Sequence, residues 1–110
     1  MKHPSERYGN LLTQLHSHLA RYGEPHWTPT LEKWIAESKQ IADAQTPISG
    51  YAPHLSRTRQ CFGGMGSLND ISITPQAGYK ISDWRARRVN GKLRRLRTDL
   101  FNETERLLRL

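Results

Sequence analysis

The chain has a single cysteine, Cys61, so it can form no internal disulfide and no cysteine-built zinc site. It has no long apolar run, and nothing approaches the ~18 residues that a membrane helix requires. The opening Met1-Lys2-His3-Pro4-Ser5-Glu6 places no apolar stretch behind its basic residue, which argues against a signal peptide. The expected setting is therefore the cytoplasm, with no membrane partner. Repeats and low-complexity tracts are missing as well. Apolar residues make up only 35% of the 110 positions, yet three Trp, four Tyr and two Phe argue for a packed core rather than disorder. A chain of this length is one domain, 1–110. Acids are scarcer than bases, 10 against 17, giving a net charge of +7 that favours an anionic partner.

What is present is mostly helical pattern. Tyr8, Leu11, Leu12, Leu15 and Leu19 form one stripe on a helix predicted from Glu6 to Tyr22, with Ser5 as N-cap and Gly23 as its stop. His16 and His18, two apart, face different sides and read as surface or boundary histidines. Thr28-Pro29 reads as an N-cap followed by proline at the first helical position. The second helix so opened buries Leu31, Trp34, Ile35 and Ile41 or Ala42 and ends near Gln45, ahead of Pro47 and Gly50. Trp27 is expected as a lid over its start, with His26 a polar neighbour. A short third helix, Pro53 to Phe62, offers Leu55, Cys61 and Phe62 to the interior, with Cys61 as a small buried hydrophobe.

Ile71 and Ile73, then Tyr79 and Ile81, alternate with polar residues on either side of Thr74-Pro75-Gln76-Ala77-Gly78. That pattern predicts a short β-hairpin, or else a loop insertion, lying on the helices. Trp84 to Leu110 is helical again, either one helix bent at Gly91 or two meeting near Asn90. Leu93, Leu96, Leu100 and Leu107 keep its stripe, widened by Phe101 and Leu108, and the expected neighbours are the first two helices. The fold class is thus mainly α, a small bundle of about four helices with a hairpin or loop insertion.

Three glycines in four positions, Gly63, Gly64 and Gly66, precede Asn69 and Asp70. Such a loop can cradle an anion, but this one lacks the Gly-Lys-Ser/Thr ending of a nucleotide loop and follows a helix rather than a strand. The structural reading is stronger. Gly63 closes the third helix, Gly64 and Gly66 make a tight turn, Met65 and Leu68 anchor it, and Asn69 and Asp70 hold the backbone.

The charge excess is local. Residues 83–110 carry nine basic and four acidic side chains, against eight and six in the remaining 82. Arg85, Arg87, Arg88, Lys92, Arg94, Arg95 and Arg97 follow one another with no acid between them. On a helix Arg88, Lys92 and Arg95 share a stripe, with Arg87 and Arg94 beside it. Arginine suits carboxylate and phosphate forks alike, so the segment reads as a partner-binding face for an acidic protein or for nucleic acid. The bland alternative is a solvated face balanced in part by Asp99 and Glu103. Helix-turn-helix patterning, an aromatic-glycine single-strand motif and a zinc ligand set are all missing, and Trp84 is the only nearby aromatic. Catalysis would need His26, His54, Cys61 or Asp70 to converge, and no spacing brings them together. No catalytic residue, metal site or cofactor is assigned.

The string Phe62 to Ile71, F-G-G-M-G-S-L-N-D-I, with His26-Trp27 in an early helical hairpin and Asn90 to Leu107 as a closing helix, resembles the signature of an uncharacterised family of small bacterial proteins. Members of that family are similar to immunity proteins of polymorphic toxins. The resemblance implies a binder and not an enzyme. The expected function is therefore an immunity-type protein whose basic face covers the active site of a cognate toxin domain, and the alternative is a small basic nucleic-acid-binding protein.

Overall fold

The computed structural model describes residues 5–44, 47–63 and 67–110. Four helices carry the chain: α1 (Glu6–Arg21), α2 (Trp27–Asp43), α3 (Ala52–Gln60) and α4 (Asp83–Leu108). Short 3-10 turns lie at Ile48–Tyr51, Leu68–Asp70 and Pro75–Ala77, and no strand occurs among the described residues. The mainly helical bundle read from the sequence is the fold. α4, 26 residues or about 39 Å at 1.5 Å per residue, sets the long dimension of a molecule measuring 44 × 24 × 20 Å. α1 packs on both α2 and α4, and α3 packs on α4. The main neighbours of α4 are therefore α1 and α3 rather than the first two helices.

The α1 stripe forms the centre of the core: Tyr8, Leu12, Leu15 and Leu19 are wholly buried and Leu11 nearly so. Leu31 and Trp34 of α2, Leu55 of α3, and Leu93, Leu96, Leu100 and Leu107 of α4 close around it. Phe101 and Leu108 are half-buried flanks, as their place beside the stripe implies. α4 runs unbroken through Gly91, where a Cβ would meet open space.

α1 ends as its glycine predicts. Gly23 takes φ +73°, its N–H donates to Ala20 O, and the Glu24 N–H donates to Leu19 O, closing a Schellman turn. The start of α2 differs from the expectation. The helix begins at Trp27, one residue before Thr28, and the capping group is Glu24. Its buried carboxylate accepts from the N–H of His26 (2.7 Å), Trp27 (2.7 Å) and Thr28 (3.1 Å). Thr28 Oγ1 instead donates back to Glu24 O at 2.7 Å. A carboxylate satisfies three of the orphan amides at once and suits the helix dipole, so it displaces the hydroxyl.

The Ile71–Ile81 segment does not pair as a hairpin. Ile73 is wholly buried, and its N–H and C=O are both taken by the side-chain amide of Asn90, at 2.8 and 2.9 Å. Arg97 Nη1 donates to Leu68 O, Asn69 O and Ile71 O at 3.0–3.1 Å. Two side chains of α4 thus supply the partners that a second strand would have supplied. The turn itself is where the sequence put it: Thr74 Oγ1 accepts from Ala77 N and Gly78 takes φ +94°.

In the glycine loop, Leu68 is buried and its N–H donates to Cys61 O at 2.8 Å, while Asn69 Nδ2 donates to Phe62 O at 2.6 Å. Gly63 follows the end of α3 without a left-handed φ, so it does not stop the helix as Gly23 stops α1. Gly64, Met65 and Gly66 lie outside the described residues.

Candidate anion-binding groove

The basic segment forms the first half of α4, where Ala86, Val89, Leu93 and Leu96 turn inward and leave the cations outside. Arg85, Arg88, Lys92 and Arg95 line one side of an open depression of about 710 Å³. The C-terminal end of α1 forms the opposite wall with His18, Arg21 and Tyr22, and Trp84 lies at the start of α4. A second depression, about 500 Å³, shares Arg21 and Tyr22 with the first and continues to Tyr79 and Lys80. Among the described residues no carboxylate lines either one. Asp83, next to Trp84 in the chain, is exposed but lines neither depression, and Glu24 is buried and spends its oxygens on α2.

The partner-binding set read from sequence divides here. Arg85, Arg88, Lys92 and Arg95 come together. Arg87 and Arg94 are exposed but line neither depression. Arg97, the last cation of the same run, faces elsewhere: its guanidinium is fixed on three loop carbonyls, and burial and the neighbouring Arg94 pull its pKa below the ordinary value, with Asp70 opposing. Glu103 does not balance the basic face either: it is 4% exposed and forked to Arg106 at 2.7 and 2.8 Å.

The α1 wall is not legible in the sequence, where Tyr22 marks only a helix end, His18 reads as a surface or boundary histidine and nothing singles out Arg21. His18 is no surface histidine. It is buried, its Nε2 lies 2.9 Å from Val89 O, and its ring meets Tyr22 edge-on with centroids 5.6 Å apart. Burial holds its pKa below the ordinary imidazole value and Lys92 and Arg21 add to this, against the carbonyl's pull. The ring is therefore neutral near pH 7, with Nε2–H donating to Val89 and tying α1 to α4. Arg21 stacks over Tyr22 at 5.8 Å and so presents a pre-set guanidinium to the groove.

A second polar cluster lies inside the bundle. His54 is 2% exposed; its Nδ1 meets Glu37 at 3.0 Å and its Nε2 meets the Tyr8 hydroxyl at 2.9 Å, which also meets Thr58 at 2.8 Å. The Tyr51 hydroxyl bonds Ser38, and the Tyr8, Tyr51 and His54 rings meet edge-on. With Nδ1–H given to the carboxylate, Nε2 accepts from Tyr8. Burial raises the Tyr8 pKa and lowers that of His54, so both stay neutral. Burial works against ionisation of Glu37, but the hydrogen bond from His54 and the charge and hydrogen bond of Arg57 outweigh it and lower that pKa. The cluster cross-links α1, α2 and α3. Cys61 is half-buried rather than fully buried, and burial raises its thiol pKa, away from a thiolate nucleophile. Among the described residues no three His, Cys, Asp or Glu side chains could share a metal ion, and no helix is long and apolar enough to cross a membrane.

Residues 20–82 match the family described as Domain of unknown function (DUF6966). The chain belongs to this family. No curated protein and no solved structure matches it. The stretch matched to DUF6966 contains His26-Trp27, the glycine string, and Arg21, Tyr22, Tyr79 and Lys80 of the two depressions, but not His18. It ends one residue before α4, so the arginine-rich wall lies beyond the matched stretch.

Proposed function

We propose that the protein works by binding rather than by catalysis, and that its ligand is nucleic acid, gripped by its phosphates along the α1–α4 groove. The supporting observation is that cations from α1, α4 and the 77–80 turn line two adjoining depressions that share Arg21 and Tyr22, with aromatic rings beside them and, among the described residues, no carboxylate. On sequence grounds an acidic protein ranks first, because the motifs that accompany nucleic-acid binding are missing, Trp84 is the only aromatic near the basic run, and the family resemblance implies a protein partner. In the fold Tyr22 and Tyr79 join it, which favours phosphates and bases over carboxylates. Such a role belongs to the cytoplasm.

The immunity-type reading, in which an acidic toxin domain docks on α4, is favoured by a different observation. Arg87 and Arg94 widen the cationic surface beyond the groove, as a broad protein interface would require. Anisotropy titrations of labelled oligonucleotides separate the two. Binding should be tight in dilute salt and weaken steeply as salt rises, because each neutralised phosphate releases a counterion. Replacing Arg88 and Arg95 by Glu should remove binding while leaving the melting temperature nearly unchanged, since exposed substitutions cost under ~0.5 kcal/mol. Absence of nucleic-acid binding in dilute salt, with one-to-one capture of an acidic toxin domain, would put the immunity reading first.

A further inference from the structure

We infer that the groove takes a single strand rather than a duplex, with a base stacked on Trp84 and the phosphates following the cations of α4. This rests on the nucleic-acid reading above. Trp84 is 64% exposed, by far the most exposed aromatic ring among the described residues, and it stands at the lip of the groove. A large flat ring left in water beside a row of cations is the pairing that sequence-tolerant single-strand binders use: backbone on the charges, bases on the rings.

The shape of the groove excludes the usual duplex mode. A helix reads duplex DNA by entering a major groove about 12 Å wide. The cation row on α4 is flanked by the end of α1, which contributes Arg21 and Tyr22 to the same surface. Two packed helices lie about 8–10 Å apart and each is about 10 Å across, so the pair spans roughly 18–20 Å. That is too wide for a major groove, whereas a depression of about 710 Å³ admits a base with its sugar. Arg85 to Arg95 covers ten residues of helix, about 15 Å, or roughly four phosphates of a stacked strand at ~3.4 Å each. Tyr22 is already held edge-on by His18 and covered by Arg21, so it serves as a wall, and Trp84 is the platform.

The test uses an oligothymidylate of about twelve nucleotides, a blunt duplex of equal length and poly-glutamate, followed by anisotropy and tryptophan fluorescence. The strand should bind at least tenfold tighter than the duplex and quench the fluorescence. Its affinity should fall about fiftyfold between roughly 50 and 200 mM salt, as roughly four neutralised phosphates on a single strand require. Trp84→Ala should weaken the strand tenfold or more with its salt dependence unchanged, the loss expected for one stacked base. Trp84→Phe should restore most of that affinity. Arg88→Gln with Lys92→Gln should reduce the salt dependence and leave the quenching at saturation. Equal binding of strand and duplex, with Trp84→Ala unchanged, would overturn the single-strand inference and leave phosphate gripping standing. Binding of poly-glutamate as tight as the strand, or no binding of either nucleic acid in dilute salt, would overturn both.

Discussion

Asn90 shows how much one side chain settles. It sits mid-helix, yet its amide gives one hydrogen bond and accepts another from Ile73, whose backbone is wholly buried. Asn90→Ala would strand a donor and an acceptor, each worth about 1–3 kcal/mol when left unpaired. We expect a loss of about 2–3 kcal/mol in urea unfolding, and Asn90→Asp should recover only part of it, because it keeps the acceptor and loses the donor. The buried imidazoles make a second residue-level prediction. Burial holds His54 and His18 below the ordinary histidine pKa of about 6.5, so the unfolded chain takes up protons first as the pH falls. The stability they contribute is present above about pH 6.5 and is lost as the pH drops through their folded values. Melting temperatures should be level from pH 7 to 8 and decline below about 6.5, with a smaller decline in His18→Gln. A melting temperature unchanged down to pH 5 would contradict the neutral assignment.

Among the elements, α4 carries most of the architecture. One face is core, the next pins the 68–73 loop through Asn90 and Arg97, and another lines the groove. Gly91 interrupts none of this: its φ is not left-handed and no atom crowds a Cβ there. Gly91→Ala should therefore stabilise the protein by about 0.5–1 kcal/mol, readable as a higher melting temperature. Gly23→Ala, at φ +73°, should destabilise by at least that much. The elements were legible where periodicity speaks, in the α1 and α4 stripes and in the Gly23 stop. Of the two alternatives, hairpin or loop insertion, the loop is what forms, because alternating Ile71 and Ile73 signal a buried extended chain but not its partner. That partner is an amide seventeen residues away on a helix. The groove was half legible: local spacing aligned Arg88, Lys92 and Arg95, but nothing local placed Arg21 and Tyr22, more than sixty positions earlier, across from them. Glu24 was missed because a carboxylate three residues before a helix differs in no local way from a surface acid.

At the scale of the molecule, charge is distributed against the interest of the fold. Like charges line two adjoining depressions, and among the described residues no acidic side chain lines either; that self-repulsion destabilises the compact state. Raising salt from roughly 10 to 150 mM shortens the screening length from about 30 to 8 Å and should raise the melting temperature. The Arg88→Glu, Arg95→Glu double variant should respond less.

The corner between α1 and α2 has a consequence for the order of assembly. Glu24 ends one helix with its amide and begins the next with its carboxylate, and every bond involved joins residues within Leu19 to Thr28. Closing so short a stretch costs little chain entropy, whereas docking α4 on α1 joins residues some seventy positions apart, as His18 to Val89 does. The α1–α2 corner should therefore be in place at the rate-limiting barrier, and the fastening of α4 to the loop should come after it. In stopped-flow measurements Glu24→Ala should slow refolding by nearly the full factor of its destabilisation. Asn90→Ala should leave refolding almost untouched and speed unfolding instead. The reverse pattern would mean that the long helix recruits the α1–α2 corner.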